Sequence, residues 1–105
     1  MNLENFYVEH CGINGENEVS FTWEDGEYTF FVWVEYEIDY YEESVFIYKV
    51  LKSEYWSEIH PISKFTLSDT MLMYLDEELN TFAQGNRETF RIDELVYQHF
   101  NDLGI

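Results

Sequence analysis

No lysine or arginine occurs before Lys49, whereas twelve carboxylates, from Glu4 to Glu43, fall in that stretch. Over 105 residues, 22 Asp and Glu face 5 Lys and Arg, a formal charge of −17. Such a surplus opposes compaction by self-repulsion, which a small domain has little stability to absorb. Cysteine is nearly absent. Cys11 stands alone, which excludes an intrachain disulfide and argues against a stapled, secreted scaffold. The single proline, Pro61, argues against a central strand or a continuing helix around it. No apolar run approaches the ~20 residues that span a bilayer, and an anionic surface is repelled by anionic lipid. Residues 1–10 have neither the positive nor the apolar region of a signal peptide. A cytoplasmic protein without membrane association is expected.

Acidity of this degree usually marks a disordered tail, but here it coexists with 46% hydrophobic and 20% aromatic residues. Nine Phe, nine Tyr and three Trp bury large areas per residue, enough to fold a short chain against its own charge. The length fits one domain, residues 1–105, with one core. No internal repeat, low-complexity tract or linker interrupts it.

Periodicity predicts an α+β fold: an antiparallel meander of three strands, or four, followed by two carboxyl-terminal helices. Val19, Phe21 and Trp23 alternate with polar residues, the period of a half-buried strand. Asp25-Gly26 follows as a two-residue type I′ hairpin signal. Folding back there sets Trp23 opposite Tyr28, Phe21 opposite Phe30 and Val19 opposite Val32, three apolar pairs on one face. The second strand continues through Val34, Tyr36, Ile38 and Tyr40, and residues 45–51 form the third. Pairing Tyr40 with Val45 would place Lys49 opposite Tyr36. Leu67, Met71, Leu72, Leu75, Leu79 and Phe82 recur at helical spacing, with Thr66 or Ser68 as cap and Gly85 at the end. A shorter helix is expected over residues 93–103. Residues 88–92 fit a fourth, edge strand; residues 3–11 fit a helical turn or a strand, and residues 54–65 resist assignment.

Enzyme signatures are missing: no glycine-rich phosphate loop, no His-Glu-x-x-His pair, no G-x-S-x-G elbow and no calcium loop. His10 and Cys11 are adjacent and point apart, poor geometry for a nucleophile and its base. With His60 and His99 they share no paired ligand spacing for zinc. Neither catalysis, nor a metal, nor a cofactor is expected. The most specific feature is the central strand. Glu35, Glu37 and Asp39 alternate with Tyr36, Ile38 and Tyr40, so the carboxylates share the face opposite the core. Same-face residues lie about 6.6 Å apart, close to the roughly 7 Å between neighbouring phosphates of a nucleic-acid strand once its winding is added to the axial rise. Glu24, Asp25 and Glu27 crowd one end of the meander, and Glu42 and Glu43 the other. Trp33, with Phe31, Phe46 and Tyr48, offers an aromatic centre ringed by these carboxylates; Glu16 and Glu18 would extend the row. The bland alternatives are a solvated strand face and a side covered by the helices. Like charges set along one strand cost stability, and ordinary surfaces mix both signs, which favours a binding role for a cationic partner.

The charge and element order together resemble small acidic phage inhibitors of bacterial defence, in particular one group of anti-CRISPR proteins. The resemblance spans the chain but carries no residue motif across. It implies a nucleic-acid mimic that binds a basic nucleic-acid-binding protein, not nucleic acid itself, in the host cytoplasm, as a monomer or homodimer. Members of that group cover the PAM-reading site of an RNA-guided nuclease, where arginines read guanine edges. Anti-restriction proteins and inhibitors of uracil-DNA glycosylase share the acidity. An immunity protein or antitoxin neutralising a basic toxin nuclease would use the same electrostatics, and an accessory phage protein would carry the charge for solubility alone.

Overall fold

The computed structural model describes residues 6–59 and 61–104. Five strands run in chain order as one antiparallel sheet: β1 (His10–Gly15), β2 (Glu18–Asp25), β3 (Tyr28–Asp39), β4 (Ser44–Trp56) and β5 (Ser63–Lys64). The helices α1 (Asp69–Gly85), α2 (Arg87–Phe90) and α3 (Ile92–Asp102) follow. The α+β class and the meander-then-helices order hold, while the expected three or four strands become five. Of the additions, β1 begins at the end of the ambiguous stretch 3–11, of which residues 3–5 lie outside the described residues, and runs on to Gly15, while β5 falls just past Pro61 in the segment that resisted assignment. Residues 87–90 form a helical turn instead of an edge strand, closed by Arg91 in the left-handed region at φ 57°.

The β2–β3 hairpin forms, with its loop one residue later than expected. Asp25 pairs with Tyr28, so the loop is Gly26-Glu27, and Phe21 meets Val32 in place of Phe30. Of the two loop residues only Gly26 has positive φ, 66°. That is the pattern of a type II′ turn, which wants glycine first, whereas the type I′ reading needed both residues left-handed. The pairing slips by two residues, an even number, so every side chain keeps its face.

One face of the sheet carries Val19, Phe21, Trp23, Val32, Val34, Tyr36 and Val45, and the helices cover it with Leu75, Leu79, Ala83, Phe90, Ile92 and Val96. Ser68 caps α1 by accepting a 3.2 Å bond from the Met71 N–H, one of the orphan donors of a helix start. α1 also seals an open strand edge. Its Asp76 Oδ1 accepts the Ile47 N–H at 2.7 Å, Asn80 Oδ1 accepts the Val45 N–H at 2.8 Å, and the Gln84 amide donates to the Glu43 carbonyl at 3.1 Å. Residues four apart on a helix rise about 6 Å, and alternate residues of a strand about 6.6 Å, so the two repeats run in step.

Candidate functional site

The side chains on the helix-free face follow from the strand register. On β3 they are Thr29, Phe31, Trp33, Glu35, Glu37 and Asp39, in order along the strand. Glu18 of β2 lies directly across from Glu35. The helices therefore do not lie over Phe31 and Trp33, which are 37% and 45% exposed. Among the described residues Glu18, Glu35 and Glu37 make no ion pair. Asp39 has a structural task besides: its Oδ1 accepts the N–H groups of Tyr41 and Glu42 at 3.0 and 3.1 Å, closing the turn into β4.

β4 departs most from expectation. It pairs with β3 through two register shifts that leave Tyr48 and Leu51 as extra residues. Ile38 then meets Val45 and Tyr36 meets Ile47, while Lys49 is set opposite Glu35 and Lys52 opposite Trp33. Lys49 thus belongs to the open face, not opposite Tyr36, and Tyr48 sits in a bulge outside the regular row. The Lys52 ammonium lies 4.9 Å from the centre of the Trp33 ring and 3.6 Å from Glu54 Oε2. Sequence order separated the cations from the amino-terminal acids, but folding brings two of them beside the row. Bulges depend on strand geometry and leave little trace in composition, so the regular register put Lys49 opposite Tyr36 and gave Lys52 no place on this face.

The nine candidate residues fall in three places. Glu35, Glu37 and Asp39 form the expected row, with Trp33 next in line. Glu42 is exposed in the β3–β4 turn, and Glu43 beside it, at φ 53°, meets Arg87 Nη2 at 3.4 Å. Glu24, Asp25 and Glu27 lie at the opposite end of the twelve-residue β3, around the β2–β3 turn. Those three do not join the row.

Two further ion pairs among the described residues join side chains of the helical segment. Arg87 bonds Asp93, and Arg91 bonds Glu94 at 2.9 Å; in each pair the guanidinium's hydrogen bond holds the carboxyl below its usual range. Cys11 faces the core side, opposite Phe21, and His10 faces away beside Thr22. Burial, reinforced by Glu78, pushes the Cys11 thiol up to about 12. A thiol so raised is a poor nucleophile at neutral pH. Among the described residues no cluster of His, Cys, Asp and Glu could hold a metal ion, and His60 lies outside them. No helix among them is long and apolar enough to cross a membrane. Comparison with protein families, with curated proteins and with solved structures finds no match to this chain.

Proposed function

We propose that the chain is a non-enzymatic nucleic-acid mimic that occupies the cationic nucleic-acid site of a bacterial defence protein, with a CRISPR effector nuclease as the expected target. The observation that carries this reading is the helix-free position of Glu18, Glu35 and Glu37, unpaired with any cation among the described residues and continuous with Asp39 and Glu42 at the β3–β4 end. A groove lined with Lys and Arg attracts such an array over distance and meets it with charge-assisted hydrogen bonds. Phe31, Trp33 and Phe46 supply the apolar surface beside it that a protein partner can desolvate. Lys49 moderates the field at one corner and gives the surface a polarity, which fixes orientation on the partner. A second copy of the chain fits this surface poorly, because it would set −17 against −17.

The test is the triple variant Glu35→Gln, Glu37→Gln, Asp39→Asn, assayed for competition with DNA on a panel of CRISPR effectors at low ionic strength. The amide introduced by Asp39→Asn keeps a carbonyl oxygen to close the turn, so folding is retained. Inhibition should weaken by about 30-fold or more, as expected for losing several charge-assisted contacts. A triple variant that inhibits like the parent would remove this face as the contact surface.

A further inference from the structure

At the β2–β3 turn, far from the acidic row, four rings meet on the helix side of the sheet where no helix covers them. Tyr28 stands edge-on to Tyr55 at 5.7 Å and 75°, and Phe65 edge-on to Phe30 at 5.3 Å and 80°. Phe30 and Tyr55 lie 6.0 Å apart at 43°. Rings set at these angles do not stack flat, and together they border a shallow bowl that is wide open to solvent. They line an opening of about 550 Å³ together with Asp25, Gly26 and Glu27. Its rear is fixed, because Phe30 stacks on the buried Trp23 at 5.2 Å and 10°. Its mouth is open: a Cβ built on Gly26 would meet nothing within 4 Å.

We propose that this bowl binds a guanidinium, the side chain of an arginine presented by the cationic partner. Aromatic faces attract a cation through their quadrupole. Guanidinium is planar and weakly hydrated, so it loses little on leaving water for a ring face. A carboxylate at the rim, here Glu27 in the turn, receives its N–H groups. Among the described residues no lysine or arginine of this chain lines the opening, so the cation comes from outside. Lys52 over Trp33 shows the same pairing made within the chain. The inference rests on the proposed function only for the source of the arginine; the chemistry of the bowl stands alone.

The test therefore needs no partner. The full chain is titrated with N-acetyl-arginine methylamide, and with the neutral citrulline analogue, while backbone amide shifts are followed by NMR. The arginine probe should give saturable shifts concentrated on Asp25, Gly26, Glu27, Tyr28, Tyr55 and Phe65, and citrulline should bind at least about tenfold more weakly. Tyr28→Leu, which keeps an apolar side chain at an exposed position, should weaken arginine binding about fivefold, and Glu27→Gln should weaken it as well. Equal shifts from citrulline, shifts spread over all the carboxylates, or indifference to both substitutions would overturn the proposal. Such a result leaves the acidic row untouched, whereas a parent-like triple variant at Glu35, Glu37 and Asp39 would leave binding in the bowl as measured.

Discussion

Cys11 shows how one side chain ties burial to pH. Its thiol is half-buried against the core, and desolvation, with Glu78 behind it, raises it from 9.0 to about 12. A group raised on folding holds its proton in the native state after the unfolded chain has lost it. Stability from this source is therefore intact below pH 9 and is lost as pH climbs from there toward 12. Tyr36, raised first by burial and then by Glu16, acts in the same direction at higher pH. Urea unfolding should show the native state weaker at pH 10 than at pH 8 by about 1 kcal/mol, after allowing for the thiol's partial exposure. Cys11→Ala should remove most of that difference. Alkylation by iodoacetamide at pH 8 should be slow in the native protein and fast in urea; equal rates would show the thiol to be open to solvent.

At the scale of elements, the seam between α1 and β4 is the contact most open to a decisive substitution. Asp76 and Asn80 accept the N–H groups of Ile47 and Val45, which β3 leaves unpaired. Removing an acceptor strands a part-buried donor, so Asp76→Ala should cost about 1.5–3 kcal/mol and Asn80→Ala about 1 kcal/mol in chemical unfolding. Asp76→Asn, which retains the acceptor, should lose less than either. If Asp76→Ala unfolds like the parent, α1 is held by its apolar stripe alone. This seam was not legible in the sequence, where Asp76 looks like one more carboxylate outside the Leu75–Leu79 stripe. The strands were legible because alternation has a period that only an extended chain can use, and the α1 start because Ser68 is chemically suited to a helix cap; at the other end Gly85 is the last helical residue, but Asn86 is the cap. Register was readable only up to an even slip, since Asp25-Gly26 permits two turn types. The face covered by the helices was undecidable, because Phe31 and Trp33 are as apolar as Val32 and Val34. The acidic row itself needed only the period of two; its lysine neighbours needed the bulges at Tyr48 and Leu51.

The whole molecule measures 57 × 26 × 22 Å and carries −17. At 10 mM salt the screening length, about 30 Å, exceeds both short dimensions, so carboxylates on opposite faces feel one another across the body. At 150 mM it is about 8 Å, and only neighbours interact. Added sodium chloride should therefore stabilise the fold, raising the melting temperature by roughly 5 °C between those two concentrations, equivalent to about 1 kcal/mol. The same step should weaken docking on a cationic partner, because the long-range attraction that steers the encounter is screened over the same distances. Opposite signs from one change of solvent separate the two meanings the charge can have. A surface that is acidic only for solubility gives the first response and offers no tight partner to lose. A nucleic-acid mimic gives both, and its loss of affinity should shrink in the Glu35→Gln, Glu37→Gln, Asp39→Asn variant. The gain in melting temperature should change little there, since three of 22 carboxylates carry a small share of the global repulsion but most of the proposed contact. Calorimetric titration and thermal melts on both proteins at both salt concentrations measure this, and an unchanged salt slope for binding in the variant would place the contact elsewhere on the surface.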